Sequence, residues 1–219
     1  MSSVTSQIPQ NMLFRYRIDC RRYDEKWTKM LELPKPAALP NFWTMGRGEP
    51  YAEIRLAWSM EGVYVWARVK GKRQTVWSRE TQILDSDGIQ LWIDTRDTHN
   101  VHRATKFCHW IFLSPAGNGV KKDQPIATML KINRAKEDPP SINRVPIKIS
   151  SENRKTGYTV SAFIPSLCLS GWNPDEHRQL GFNYLVVDRE LGHQPLAIGS
   201  ELPVAEDPSL WSSMRLMDD

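Results

Sequence analysis

Hydrophobic and polar residues alternate strictly in several short segments, most clearly between Asp85 and Asp94. Every second position from 89 to 93 is aliphatic, and the positions between and after them carry Gln90, Trp92 and Asp94. A period of two is typical of a β-strand with one face towards the core and one towards solvent. The outward face then carries an indole between an amide and a carboxylate, which suits a polar, ring-shaped ligand. The alternative is that Trp92 packs beneath a loop and Asp94 ends the strand.

The same period recurs along the chain, whereas helical spacing is confined to Ser166–Leu169. Two of the segments are separated by a short turn and predict a hairpin. The alternating segments together predict an all-β fold, an antiparallel β-sandwich of the immunoglobulin-like or jelly-roll type with long loops. The predicted strands are Leu13–Ile18, Ile54–Trp58, Val63–Val69, Asp87–Asp94, Phe107–Leu113, Lys148–Ser150, Tyr158–Ile164 and Leu180–Asp188.

Residues 1–12 are polar and predict a disordered N-terminal tail, and residues 13–219 are expected to form a single β-sandwich domain, a common size for one all-β domain. The proline-rich segment Leu33–Pro50 predicts an extended connection. The segment Ser114–Pro146 has little periodicity, and we expect a long loop there that could cover a site.

The composition excludes several classes of protein. No apolar run is long enough to span a membrane. The net charge of +4 is scattered along the chain, which argues against nucleic acid as a partner, because a nucleic-acid footprint needs a concentrated basic face. The first residues lack the features of a secretory signal, so a cytoplasmic location is expected. Cys20, Cys108 and Cys168 are too few and too far apart for a disulfide framework or a zinc ribbon.

The loop after Asp94 concentrates charged and metal-binding side chains. Asp94 and Asp97 are candidate calcium ligands because calcium prefers carboxylate oxygens, and Asp85 and Asp87 lie just upstream. His99, His102 and His109 would instead suit zinc or another transition metal. The third interpretation is an ion-pair network in which Asp94 and Asp97 pair with Arg96 and Arg103 and fix the loop.

Features of a catalytic centre are few. Asp94 and Asp188 would have to converge across a cleft to act as a glycosidase pair, and no spacing in the sequence indicates that they do. Cys108 and His109 are adjacent on a predicted strand, so their side chains point to opposite faces and do not form a nucleophile with its base. The expectation is a protein that is not an enzyme.

The order of the segments resembles the family 9 carbohydrate-binding modules and the wider DOMON-like β-sandwiches, from about Phe14 to Met217. The resemblance lies in an early aspartate and tryptophan, a strand pair, a DSxxxxxxD strand, a "GY.V...IP" strand, a "GFN..V.D" strand and a terminal "DPS" strand. These elements are Asp24 to Trp27, Glu53 to Val69, Asp85 to Asp94, Gly157 to Pro165, Gly181 to Asp188 and Asp207 to Leu216.

The resemblance implies a non-catalytic carbohydrate-binding domain that recognises a saccharide or another polyhydroxylated ligand through an aromatic and polar face. Members that bind sugar hold it between two tryptophans. Trp77 occupies the place of the first, whereas Ala205 and Glu206 stand where the second would be, and Gln90 replaces an acidic residue. The candidate ligand-binding residues are Trp66, Trp77, Gln90, Trp92, His109, Asn183 and Asp188.

Two other interpretations stay open at this point. Some DOMON-like relatives bind haem, for which Met45, Met60 and His109 are candidate ligands. Alternatively, Trp66 and Trp92 could anchor a protein partner, since indoles are frequent anchors of interfaces.

Overall fold

The computed structural model describes residues 16–42, 49–142, 146–199 and 202–218. This part of the chain is built almost entirely of strands and confirms the all-β prediction, since its helical segments are short 3₁₀ turns at Lys35–Ala37, Glu80–Asp85, Ser166–Cys168 and Pro208–Leu210. None of its helices has the length and apolar character needed to cross a bilayer. The strands are β1 (Arg17–Arg22), β2 (Ala52–Ser59), β3 (Gly62–Lys70), β4 (Gly88–Asp94), β5 (Cys108–Asn118), β6 (Gln124–Leu130), β7 (Lys148–Arg154), β8 (Gly157–Pro165), β9 (Gln179–Asp188), β10 (Gly192–Pro195) and β11 (Ser212–Met217).

The strands pair in the order β6-β5-β4-β9-β11-β1-β2-β3-β8-β7, with β10 on β9. The alternate aliphatic residues of β2, β3 and β8 pack against those of β4, β5 and β9 in one core, as two layers of a β-sandwich do. The prediction of a β-sandwich is therefore confirmed. Its first layer holds β4, β5, β6 and β9, and its second layer holds β2, β3, β7 and β8.

β1 departs from the antiparallel pattern, because it pairs in parallel with both β11 and β2. All other strand pairs in the described part of the chain are antiparallel. A hairpin fixes two strands as antiparallel, but β1 has no hairpin partner and enters between the last strand and β2. Of the predicted strand Leu13–Ile18, residues 13–15 lie outside the described residues, as does the predicted tail.

The predicted hairpin of β2 and β3 is confirmed, with Ser59 opposite Gly62. Gly62 has φ 146°, and a Cβ there would meet the Ile164 carbonyl oxygen at 2.1 Å, so only glycine fits. The prediction of one long loop over Ser114–Pro146 is wrong. β5 extends to Asn118, and β6 pairs with it.

A buried lysine joins the ends of β4 and β9 to the segment after β3. Lys72 Nζ lies 3.0 Å from an oxygen of Asp87 and 2.7 Å from one of Asp188, and all three side chains are almost fully buried. Burial lowers the pKa of Lys72, but the hydrogen bonds to Asp188 and Asp87 outweigh it and the pKa is raised. Asp188, a candidate ligand-binding residue, therefore binds Lys72 inside the protein instead of facing a ligand.

His109 also differs from its expected place. It pairs with Ile93 in the register of β5 with β4, so it lies on the core side, and it is 1% exposed. Burial lowers the pKa of the imidazole to about 4, although the Ser170 backbone and Asp94 oppose the shift. The candidate ligand-binding residue His109 is thus a neutral core residue.

We expect Lys72→Met to destabilise the protein by about 3–5 kcal/mol, because two buried carboxylates would lose their cation. Chemical denaturation measures this change. Lys70→Met is the matched control, since Lys70 is exposed at the end of β3; equal effects of the two substitutions would contradict the role of the network.

The low pKa of His109 should make stability depend on pH. Between about 6.5, the pKa of an unfolded histidine, and about 4, the unfolded state binds a proton that the native state does not, so stability falls as the pH is lowered through this window. The loss from pH 7 to pH 5 should be about 2 kcal/mol. In His109→Leu this part of the loss should vanish, whereas His102→Gln, at an exposed histidine, should retain it; denaturation curves at the two pH values would show the difference.

Candidate functional site

A cavity of about 300 Å³ opens on the outer face of the first layer. Its floor is formed by alternate residues of two paired strands, because Gln90 and Trp92 of β4 lie opposite Leu185 and Asn183 of β9. The walls are lined by Ile198, Gly199, Leu202, Pro203, Val204, Ala205 and Glu206.

Two polar groups on the floor, the Asn183 amide and the Trp92 indole N–H, form no hydrogen bond with the residues that the structure describes. Asn183 is 5% exposed, and its side-chain amide forms no hydrogen bond with any other residue that the structure describes. The Trp92 indole nitrogen Nε1 is also buried without an acceptor among those residues. Buried polar groups are almost always hydrogen-bonded in native proteins, so donors and acceptors left over in a cavity indicate a polar ligand.

Gln90 has one half of its amide fixed and one half available. Its Oε1 accepts a hydrogen bond of 3.2 Å from Trp110 Nε1, which leaves Nε2 without a partner in the described protein. The ring of Trp110 stacks on that of Trp92 with centroids 5.6 Å apart. The floor is therefore held rigid by two indoles, and it presents two amides.

Glu206 brings a carboxylate to the wall. Its Oε1 accepts a hydrogen bond of 2.7 Å from Asn133 Nδ2, which orients the side chain, while its Oε2 has no hydrogen-bond partner among the residues that the structure describes. Ala205 and Pro203 beside it are apolar. The cavity thus combines donors from amides, a carboxylate acceptor and apolar walls, a set that matches a ligand with hydroxyl groups and apolar ring faces.

The expected outward face of Trp66, Gln90 and Trp92 is wrong. Trp66 and Trp92 are 3% and 1% exposed, and they lie on different layers of the sandwich. The segment from Tyr23 to Ala37 covers Trp66, whose ring packs against the guanidinium of Arg55 at 4.1 Å. Alternation identified both residues as pointing away from the core, but loops cover both of them. The same burial leaves these two indoles poorly placed to anchor a protein partner.

Trp77 does not line the cavity, but it lies near the start of β4. Its backbone N–H donates to Asp87 Oδ2 at 2.9 Å, and its carbonyl accepts from the Asp87 N–H at 2.7 Å. The guanidinium carbons of Arg79 and Arg189 lie 4.3 and 4.2 Å from the centroid of its half-buried ring. A ligand contact of Trp77 stays a prediction, and the ring is shared with two arginines.

The candidate metal ligands bind protein groups instead of converging. Asp94 accepts hydrogen bonds from the backbone of Arg96 and Thr98, and Asp97 lies 2.9 Å from His99 Nε2. His102 pairs with Asp207 at the surface. Across the part of the chain that the structure describes, no three His, Cys, Asp or Glu side chains are grouped as a metal site. The candidate metal ligands are therefore not grouped as the calcium and transition-metal interpretations require. Arg96 and Arg103, which were expected to pair with these carboxylates, donate instead to the carbonyls of Thr95 and Gly171 and of Arg134 and Ala135.

The candidate haem ligands are not placed as a pair. Met45 lies outside the described residues, Met60 is 36% exposed in the turn between β2 and β3, and His109 is in the core. Cys108 points outwards into the cluster around Trp92, so it faces away from His109, and burial raises the pKa of its thiol to about 12. A thiol with that pKa is inert as a nucleophile at neutral pH.

The residues that sequence reasoning missed are on the walls and beside the floor. Leu185 and Trp110 lie on predicted strands. Leu185 is the β9 partner of Gln90 and Trp110 is the β5 partner of Trp92, but the sequence does not reveal which strands pair. The wall from Ile198 to Glu206 has no periodicity. The signal that could have found it was the position of Ala205 and Glu206 before the DPS motif.

Two solved structures resemble this chain over most of its length. No curated protein matches the chain. A family 9 carbohydrate-binding module from Caldicellulosiruptor kristjanssonii, solved in complex with cellotriose, superposes with a TM-score of 0.63 at 15% identity, covering 93% of this chain and 95% of that one. The structure of such a module from the same organism in complex with glucose gives a TM-score of 0.64 at 15% identity, covering 93% and 97%. At this identity the likeness shows the shared fold.

The family assignment comes from the sequence itself. The model of the carbohydrate family 9 binding domain-like family matches residues 18–219, which is nearly the whole chain. The order of strands and the terminal DPS segment agree with this match. The chain therefore belongs to the carbohydrate family 9 binding domain-like family.

Proposed function

We propose that this protein is a non-catalytic carbohydrate-binding domain and that its cavity on the outer face of β4 and β9 holds a sugar. The observation that carries the proposal is a cavity lined by the side-chain amides of Gln90 and Asn183, which keep donors and acceptors without partners among the described residues, beside apolar walls. Family membership and the sugars bound by the two similar modules support it.

The dimensions of the cavity favour a ligand of about one sugar ring. A volume of about 300 Å³ is at the lower end of the range of small-molecule sites, which is about 300–1,000 Å³. The amides of Gln90 and Asn183 donate to and accept from hydroxyl groups, and Glu206 accepts from them. Leu185 and the apolar wall would cover the C–H face of the ring.

A fold can host many functions, so the test begins with binding itself. A glycan array with free and polymeric sugars, followed by calorimetry with each sugar that is bound, tests the proposal. Absence of binding to every saccharide would overturn it. An absorption spectrum of the purified protein tests the haem interpretation separately, because bound haem has a Soret band.

Asn183→Leu should weaken binding of the selected sugar by about 1–2 kcal/mol, because hydroxyl groups of the ligand would lose an amide partner. The melting temperature should stay the same or rise, since the amide has no protein partner to lose. A purely structural asparagine would show the opposite, with lower stability and unchanged affinity. Asn153→Leu, on exposed β7 of the second layer, is the control and should leave affinity unchanged.

Trp77→Ala should separate short ligands from long ones. Trp77 lies beyond the cavity lining, so a monosaccharide should bind as before. A trisaccharide that extends along β4 to the part of the ring that the two guanidinium groups leave open should lose about 1 kcal/mol, the lower end of the range for an aromatic contact. Calorimetry with the two ligands measures this. Trp172→Ala, at a half-buried tryptophan bonded to the Met60 carbonyl, controls for the loss of an indole elsewhere; unchanged trisaccharide affinity in Trp77→Ala would exclude a contact.

A further inference from the structure

Two arginines beside the cavity have no acidic partner. Arg79 and Arg189 are exposed, and neither has a carboxylate within 4.0 Å among the residues that the structure describes. The side chain of Arg79 donates one long hydrogen bond, of 3.4 Å, to Gln82 Oε1. Both guanidinium groups instead lie over the ring of Trp77. Two cations held close to one ring without a carboxylate repel each other, and an anion bound beside them would relieve that repulsion.

Four carboxylates near these arginines, those of Asp87, Asp188, Glu190 and Glu80, are bound to other groups. Asp87 and Asp188 share Lys72. Glu190 accepts hydrogen bonds from the backbone N–H groups of Arg73 and Gln74, and these lower its pKa. Glu80 lies 3.8 Å from Lys122. None of these four carboxylates therefore neutralises Arg79 or Arg189.

The backbone of this cluster is fixed from below. One carboxylate, that of Asp87, accepts a hydrogen bond from the Trp77 N–H through Oδ2 and from the Arg189 N–H through Oδ1, at 2.9 and 2.8 Å. The Trp77 indole nitrogen is buried without an acceptor in the described part of the chain, so it is not presented to a ligand. The cluster thus presents two guanidinium groups on a rigid support.

The cluster lies past the end of a strand that forms part of the cavity floor. Leu185 borders the cavity, and Arg189 follows it by four residues, one residue past the end of β9, so their Cα atoms are at most about 13 Å apart. A monosaccharide in the cavity would not reach that far, whereas a short oligosaccharide would. The neutral donors of the cavity and the cationic cluster are then two successive contacts for one chain.

We propose that Trp77, Arg79 and Arg189 form an anion-binding subsite and that the natural ligand is an acidic saccharide carrying a carboxylate or a sulfate ester. This inference rests on the proposed function and specifies its class of ligand. Guanidinium groups bind both anions through paired N–H donors, and hydrogen bonds to charged groups are the stronger ones. The Trp77 ring orients the two guanidinium groups through cation–π contacts.

Calorimetry with three ligands of one backbone tests the proposal: cellotriose, its C6-carboxylated form and its 6-O-sulfated form. The full chain should bind one or both acidic forms about tenfold more tightly than cellotriose, or better, at low ionic strength, with an advantage that falls as salt is raised. The carboxylated and sulfated arms decide between the two anions. In Arg79→Gln/Arg189→Gln the advantage should disappear while binding of cellotriose is retained.

Arg21→Gln is the matched control, because Arg21 is exposed on β1 with no ion pair among the described residues. It should keep the preference for the acidic ligand. Equal affinity for all three ligands in the unchanged protein, or a preference that survives the double substitution, would overturn the anion subsite and leave sugar binding intact. Absence of binding to all three ligands, together with an empty glycan array, would overturn the subsite and the proposed function alike.

Discussion

The ion-pair network of Lys72 with Asp87 and Asp188 is the constraint on which the outer face of the first layer depends. It removes three charges from water and pairs one cation with two carboxylates, which also accept backbone hydrogen bonds, so any one residue of the three is costly without the others. Because Asp87 also accepts from the backbone of residues 77 and 189, the same network sets where Trp77 and Arg189 lie relative to β4. The buried ion pairs thus position surface residues that do not themselves belong to the network.

The cavity differs in principle from a site that stacks a sugar between two rings. Its second aromatic position is taken by Ala205 and Glu206, and the ring of its tryptophan, Trp92, is already stacked on that of Trp110. Such a site would recognise the pattern of hydroxyl groups more than the flatness of a ring. Discrimination by hydrogen bonds is the sharper kind, because a mismatched ligand leaves buried polar groups unpaired.

Sequence alone predicted the strands whose inner row is aliphatic, since a row such as Ile89, Leu91 and Ile93 has no other stable place than a core. It could not predict β6, because residues 124–130 are almost all half-buried and lack alternation. Of the candidate ligand-binding residues that the sequence indicated, Gln90, Trp92 and Asn183 line the cavity, whereas Trp66, His109 and Asp188 are buried elsewhere. A period of two shows which residues leave the main core, whereas burial under loops, as at Trp66, depends on distant segments that carry no periodic signal.

The parallel pairing of β1 with β11 has a mechanical consequence. In register, Arg17 lies opposite Ser213 and Arg21 opposite Met217, so the chain enters β1 at one end of the pair and leaves β11 at the other. Tension applied through the residues before β1 and after β11 would load this ladder in shear. Its hydrogen bonds would have to break together, whereas an antiparallel pair pulled from one end would open one bond at a time. The domain is thereby suited to bearing load between whatever is tethered at its two ends.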